Sequence, residues 1–207
     1  MVLLSFLVGI YLYPIMPQQM ASHWNLKGEA DGYIQKFWGL FLTPLILVGI
    51  FLLYLFIPKI DPLKKNLEKF KIYFDGFIIL IAAFLFYLYF LTIFWNLGLK
   101  LNIAKSLAPA LSFLFYYSGI MLKKTKRNWF VGIRTPWTLS NDKVWDKTHR
   151  IGSKLFKATA LIILLGIFFE KYLLFFVLIP LLITVVIVVV YSYFEYKKEE
   201  KGNQNNF

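Results

Sequence analysis

A chain of 207 residues that is 59% hydrophobic and only 16% charged is too apolar for an ordinary soluble domain, which is about half apolar. Its net charge of +12 fits lysines flanking apolar runs and facing anionic lipid better than it fits a nucleic-acid surface. With no cysteine, disulfides, thiolate chemistry and Cys-ligated metal centres are excluded.

The apolar residues gather in six segments, at 1–15, 37–57, 76–97, 106–122, 158–169 and 172–194. Crossing ~30 Å of hydrocarbon takes about 20 residues. The first and fifth segments are short, and the fifth begins as early as Lys154 or Leu155 if its lysines snorkel to the interface. The runs do not alternate, which excludes a β-barrel. The spacing therefore predicts an all-α, multi-pass protein of the cell membrane with six transmembrane helices. The first run has no basic leader and no small-residue cleavage site, so it reads as a retained span. Three parts follow: 1–57 with an extracytoplasmic loop at 16–36, 58–122 with a basic loop at 58–75, and 123–207 with a long polar loop at 123–157 and a basic tail.

Orientation comes from counting Lys and Arg between spans. The first loop has Lys27 and Lys36, and the third has Lys100 and Lys105. The second has Lys59, Lys64, Lys65, Lys69 and Lys71, and the fourth holds all three arginines, Arg127, Arg134 and Arg150, among seven lysines. The asymmetry predicts that both termini and the fourth loop are cytoplasmic and that the first loop is outside. No Asp, Glu, Arg or His falls mid-span; Asn96 is the most polar interior residue. That argues against an ion-coupled transporter and makes Asn96 an interhelical hydrogen-bonding residue.

The first loop reads His23-Trp24-Asn25, then Gly28, then Asp31-Gly32-Tyr33. Gly28, Asp31 and Gly32 are turn positions where a positive φ is cheap. One histidine beside Glu29 and Asp31 is a poor metal site; a folded cap is the better reading.

In the fourth loop Pro136 drives Thr135 into an extended conformation, and Ser140 is placed to cap a helix over 141–155. That helix sorts into three stripes. Lys143, Lys147, Arg150 and Lys154 form a basic one; Val144, Thr148, Ile151 and Leu155 an apolar one; Asp142, Asp146, His149 and Ser153 the third. This is the layout of an interfacial helix with its apolar face in lipid. Three readings compete for the third stripe: it is solvated, it pairs with Arg127 or Arg134 to fold the loop back, or it binds a cation. No nucleophile–base set, phosphate loop or zinc motif is present, so neither catalysis nor a cofactor is expected.

Two stretches resemble the SdpI immunity-protein family. The first is the outer module just quoted, preceded by Tyr13-Pro14 and Pro17. The second is Asn128, Gly132, Arg134-Thr135-Pro136-Trp137-Thr138 and Ser140, then Val144-Trp145 and Thr148-His149-Arg150, with Asp142 and Asp146 among them. The resemblance implies a non-enzymatic membrane protein that protects its cell against a secreted, membrane-active peptide toxin. It further implies an outer face at His23, Trp24, Asn25, Gly28, Asp31, Gly32 and Tyr33 that meets the peptide. On the inner face, the fourth loop would hold a cytosolic repressor. Partners would be the bilayer, a peptide outside and a repressor inside, with no direct contact to nucleic acid. A small transporter or channel, and a lipid-modifying enzyme built on Asp142, Asp146 and His149, are the competing readings.

Overall fold

A computed structural model describes residues 1–25 and 28–204, apart from the side chains of 203 and 204. Lys27, one of the two lysines counted in the first loop, lies outside the described residues. The chain is mainly helical. It runs α1 (Val2–Leu12), β1 (Gln19–Trp24), β2 (Ala30–Gln35), α2 (Lys36–Ile60), α3 (Lys64–Glu68), α4 (Lys71–Asn96), α5 (Ile103–Lys124), α6 (Pro136–Ser140), α7 (Asp142–Gly166), a 3-10 turn (Glu170–Tyr172) and α8 (Leu173–Gln204).

Three segments are long and apolar enough to cross a membrane by length and composition: Lys36–Ile60, Lys71–Asn96 and Glu170–Gly202. The remaining three predicted spans are different in kind. At 11 residues, α1 is ~16 Å long and reaches only partway. α5 and α7 are long, but α5 carries lysines near both ends and α7 carries charge from Asp142 to Lys157, and they pack on each other more extensively than any other pair. Small residues let them approach. Ser153 Oγ donates to Gly119 O at 2.5 Å and Ser112 Oγ to Ala160 O at 2.7 Å, and a Cβ on Gly119 would sit 2.8 Å from Ser153 O. Close backbone approach of this sort is how helices associate where lipid removes the hydrophobic drive.

The first loop is more than an irregular cap: β1 and β2 form an antiparallel hairpin, the one departure from an all-helical fold among the described residues. Register irregularities flank His23. Gly28 does take a positive φ, of 78°. Gly32 does not; it lies in β2 opposite His23, and a Cβ there would meet His23 Cβ at 2.8 Å. Its small size is needed for strand packing, so the turn role expected of it does not apply.

The fourth loop also differs from expectation. Residues 136–140 form the short helix α6, with Thr135 as its cap and Pro136 at its first position, so this part of the loop is ordered helix. Asn141, not Ser140, caps α7: its Oδ1 accepts from Lys143 N at 2.8 Å and Val144 N at 3.2 Å. Ser140 instead ends α6, its hydroxyl donating to Trp137 O at 3.0 Å. α7 then runs unbroken through the expected interfacial helix into the fifth apolar segment.

The loops gather at two ends. At one, Trp24 packs edge-on against Trp95 at 5.7 Å, joining the hairpin to the end of α4, and Lys105 pairs with Glu170, joining the start of α5 to the 3-10 turn. At the other, Asp61 and Asn66 bond the 123–141 loop, and Lys147 reaches Glu195 and Glu199 near the end of α8. Each end has its own apolar floor: Met16, Met20, Leu40, Tyr89 and Ile93 under the hairpin, and Leu67, Phe70, Phe74, Met121 and Val131 under the 123–141 loop.

Candidate functional site

The 123–141 loop is built by side chains that hydrogen-bond main chain. Asn128 is fully buried and satisfied on both sides. Its Oδ1 accepts from Phe130 N at 2.9 Å and Val131 N at 2.6 Å, while Nδ2 donates to Lys126 O at 2.8 Å and Val131 O at 2.9 Å. Asn and Asp favour such local closures because the short side chain mimics a turn. The next residues then pass Gly132 at φ 116°, a conformation open to Gly and costly to other residues. A Cβ there would lie 2.5 Å from His149 Nε2 and 3.3 Å from the Trp145 ring.

His149 is the loop's anchor. Ile133 N–H donates to its Nε2 at 2.9 Å, so Nε2 carries no proton. Nδ1 therefore holds the hydrogen and donates to Trp145 O at 2.9 Å. Its ring stacks on Trp145 with centroids 4.0 Å apart, and the Trp145 indole N–H donates to Thr125 O at 3.0 Å. The Ile133 bond requires the neutral imidazole. Burial drives the pKa down from 6.5 to about 4, opposed by the Trp145 carbonyl and the Asp146 charge.

The rest of the loop is locked to α8. Thr135 and Thr138 form a capping box, Thr138 Oγ1 donates to Ile133 O at 2.8 Å, and Thr135 Oγ1 donates to Ser192 Oγ at 3.1 Å. Trp137 meets Tyr193 edge-on at 5.2 Å. Arg134 donates to Trp129 O at 2.6 Å.

The third stripe of α7 therefore splits. Asp142 pairs with Arg127 at 2.7 Å, the folding back that was one of its three readings, and Asp146 pairs with Lys126 at 3.3 Å. His149 and Ser153 are buried. Among the described residues no three His, Asp or Glu side chains come together as a metal site would need. Of the apolar stripe, Val144 and Thr148 are fully buried in the protein, while Ile151 and Leu155 are half-buried. Trp145 is core as well. Arg150 is exposed and pairs with no described carboxylate. Lys147 sits between Glu195 and Glu199 at 2.8 and 2.9 Å, and these two carboxylates raise its pKa.

At the hairpin end, His23 Nδ1 lies 2.5 Å from Asp31 Oδ1, exposed. Asn25 and Glu29 close the turn, with Asn25 N donating to Glu29 O at 2.9 Å and Asn25 Nδ2 to Glu29 Oε2 at 3.1 Å. Trp24 faces Trp95, and Tyr33 is 58% exposed. Asn96 bonds a strand and not a neighbouring helix. Its Oδ1 accepts from Ala21 N at 2.8 Å and its Nδ2 donates to Ala21 O at 3.1 Å, the pairing a neighbouring strand would supply.

Two residues that the sequence left unmarked matter here. Asp61 is buried, and its Oδ2 accepts from Trp129 N at 3.0 Å while Oδ1 accepts from Leu63 N at 2.7 Å. Asn66 Nδ2 donates to Arg127 O at 2.9 Å. The available signal for Asp61 was an acid between Ile60 and Pro62 at the mouth of a lysine-rich loop.

Residues 124–192 match the SdpI/YfhL protein family, and residues 1–48 match a domain of unknown function, DUF1648. The first range holds most of the anchored loop with α7, and the second holds the whole hairpin. Over 198 residues the chain is 28% identical to the Immunity protein SdpI of Bacillus subtilis (strain 168), covering 95% of this chain and 93% of that protein. No solved structure matches the chain.

Proposed function

We propose that this member of the SdpI/YfhL family is a non-enzymatic immunity protein of the cell membrane that meets a membrane-active peptide outside the cell. The similarity to the Immunity protein SdpI along nearly the whole chain carries the reading. In it, six segments cross the bilayer, both termini are cytoplasmic, the hairpin is outside and the 123–141 loop inside. The gathering of the lysine-poor loops at one end and the lysine-rich loops at the other supports this topology. The peptide meets the hairpin at His23, Trp24, Asn25, Gly28, Asp31, Gly32 and Tyr33. On the inner face, exposed Arg134, Ser140, Arg150 and the rim of α6 contact a cytosolic repressor.

Neither competing reading gains support. A channel or transporter would use Asn96, whose amide is occupied by Ala21. A lipid-modifying enzyme would use Asp142, Asp146 and His149, of which two are paired with cations and the third is buried and bonded to main chain.

The test is deletion of the gene, followed by challenge with peptides secreted by the same strain and its neighbours. Protection lost on deletion and restored by the intact chain is the expected result. Unchanged sensitivity sinks the immunity reading.

A further inference from the structure

The hairpin has two edges, and on that of β1 Asn96 occupies the main-chain groups of Ala21. Lys36 N–H donates to Gln18 O at 3.0 Å, so 18 and 36 form a bonded pair. Pairs alternate along an antiparallel ladder, which makes Gln19↔Gln35 non-bonded, Met20↔Ile34 bonded and Ala21↔Tyr33 non-bonded. Asn96 fixes the same phase independently, because it takes both main-chain groups of Ala21 on the side of β1 away from β2. By that alternation the N–H and C=O of Tyr33 and the N–H of Gln35 point outward from β2. The Gln35 carbonyl is excluded, since Gln35 caps α2 and its C=O starts the helical ladder. No hydrogen bond from a described residue reaches the three outward groups.

We infer that this edge of β2, centred on Tyr33, takes an extended peptide segment as a third strand. The inference rests on the immunity reading for the source of the peptide. Main-chain donors and acceptors repeating every ~6.8 Å recognise another main chain; a lipid headgroup or small solute offers no matching array. The edge is also polarised, with the carboxylates of Glu29, bonded to the Asn25 amide, and Asp31, against His23, at the tip and half-buried Lys36 at the helix end, which favours a strand whose basic residue lies toward the tip. At Ala21 the β1 edge is taken by Asn96, whereas across the ladder the outward groups of Tyr33 are left open, although bare edges are ordinarily blocked.

The test uses the full chain in lipid nanodiscs and a fluorescein-labelled octapeptide of alternating Val and Thr with one terminal Lys. The same peptide is also made N-methylated at alternate residues, in each of the two frames. Binding is expected for the unmodified peptide, with roughly tenfold or greater weakening by one methylated frame alone. Tyr33→Pro should weaken binding similarly and Tyr33→Phe should not. Tyr33→Pro should keep the wild-type melting temperature, since the N–H it removes is outside the ladder. Absent binding, equal effects of both frames on the wild-type chain, or wild-type affinity in Tyr33→Pro overturns the inference. A wild-type dimer that Tyr33→Pro dissolves does so too, because the occupant is then a second copy. Protection assays separate the two claims: if deletion sensitises cells and Tyr33→Pro does not, immunity stands and the edge falls.

Discussion

His149 Nε2 accepts the main-chain N–H of Ile133 at 2.9 Å, and through that bond a helix side chain holds the turn that follows Gly132. The bond exists only while the imidazole is neutral. With the folded pKa lowered to about 4 against 6.5 when unfolded, the stabilisation is complete above the unfolded value. It is lost as pH falls from there toward the folded value, and the total is on the order of 3 kcal/mol. Melting temperatures measured from pH 7.5 down to 4.5 should fall with acid. His149→Asn should flatten that dependence while starting from a lower value, and an unaltered acid slope in the variant would rule out His149 as its source.

Gly132→Ala puts a methyl carbon 2.5 Å from His149 Nε2 at a φ of 116°. Both the left-handed backbone and the clash disfavour it, with a combined cost of roughly 3 kcal/mol. The loop should lose its docking while the hairpin, at the far end, is untouched. Hydrogen exchange would read this as faster exchange at Ile133 with unchanged exchange in β1.

Legibility in the sequence followed the range of the interactions. Apolar runs gave α2, α4 and α8, because a run's length is a local property. Pro136 next to Thr135 gave the extended entry to α6 for the same reason. The docking of the hairpin on α4 was hidden because the partner of Ala21 is Asn96, 75 residues away. The burial of His149 was hidden because the helical wheel groups it with Asp142 and Asp146. Which stripe of α7 faces protein is decided by α5 and by the loop, neither of which the wheel contains. Asp61 carries no pattern of its own; its role comes from two main-chain N–H groups that long-range folding brings to it.

Asn96→Leu keeps the side chain's size and removes both bonds to Ala21. Ala21 is fully buried, so its N–H and C=O would be left without partners, at about 1–3 kcal/mol for each unsatisfied group. The hairpin should detach from the end of α4. Tryptophan emission, sensitive to the Trp24–Trp95 contact at 5.7 Å, should shift, and exchange across β1 should accelerate. Wild-type exchange in β1 would mean that the apolar floor alone holds the hairpin.

Asp61 and Asp142 both secure the 123–141 loop, and burial ranks them. Asp142 is 72% exposed in its pair with Arg127, and solvent-exposed pairs contribute ~0–1 kcal/mol. Asp61 is 2% exposed, and its loss leaves the N–H groups of Trp129 and Leu63 unbonded, a cost of roughly 2–3 kcal/mol. Asp61→Ala should therefore lower the melting temperature clearly, and Asp142→Ala should leave it near wild type. High salt should weaken the Asp142 contribution further, through screening, and leave the Asp61 effect in place. Equal destabilisation by the two substitutions would mean that charge pairing at the surface, not main-chain bonding by a buried carboxylate, holds the loop.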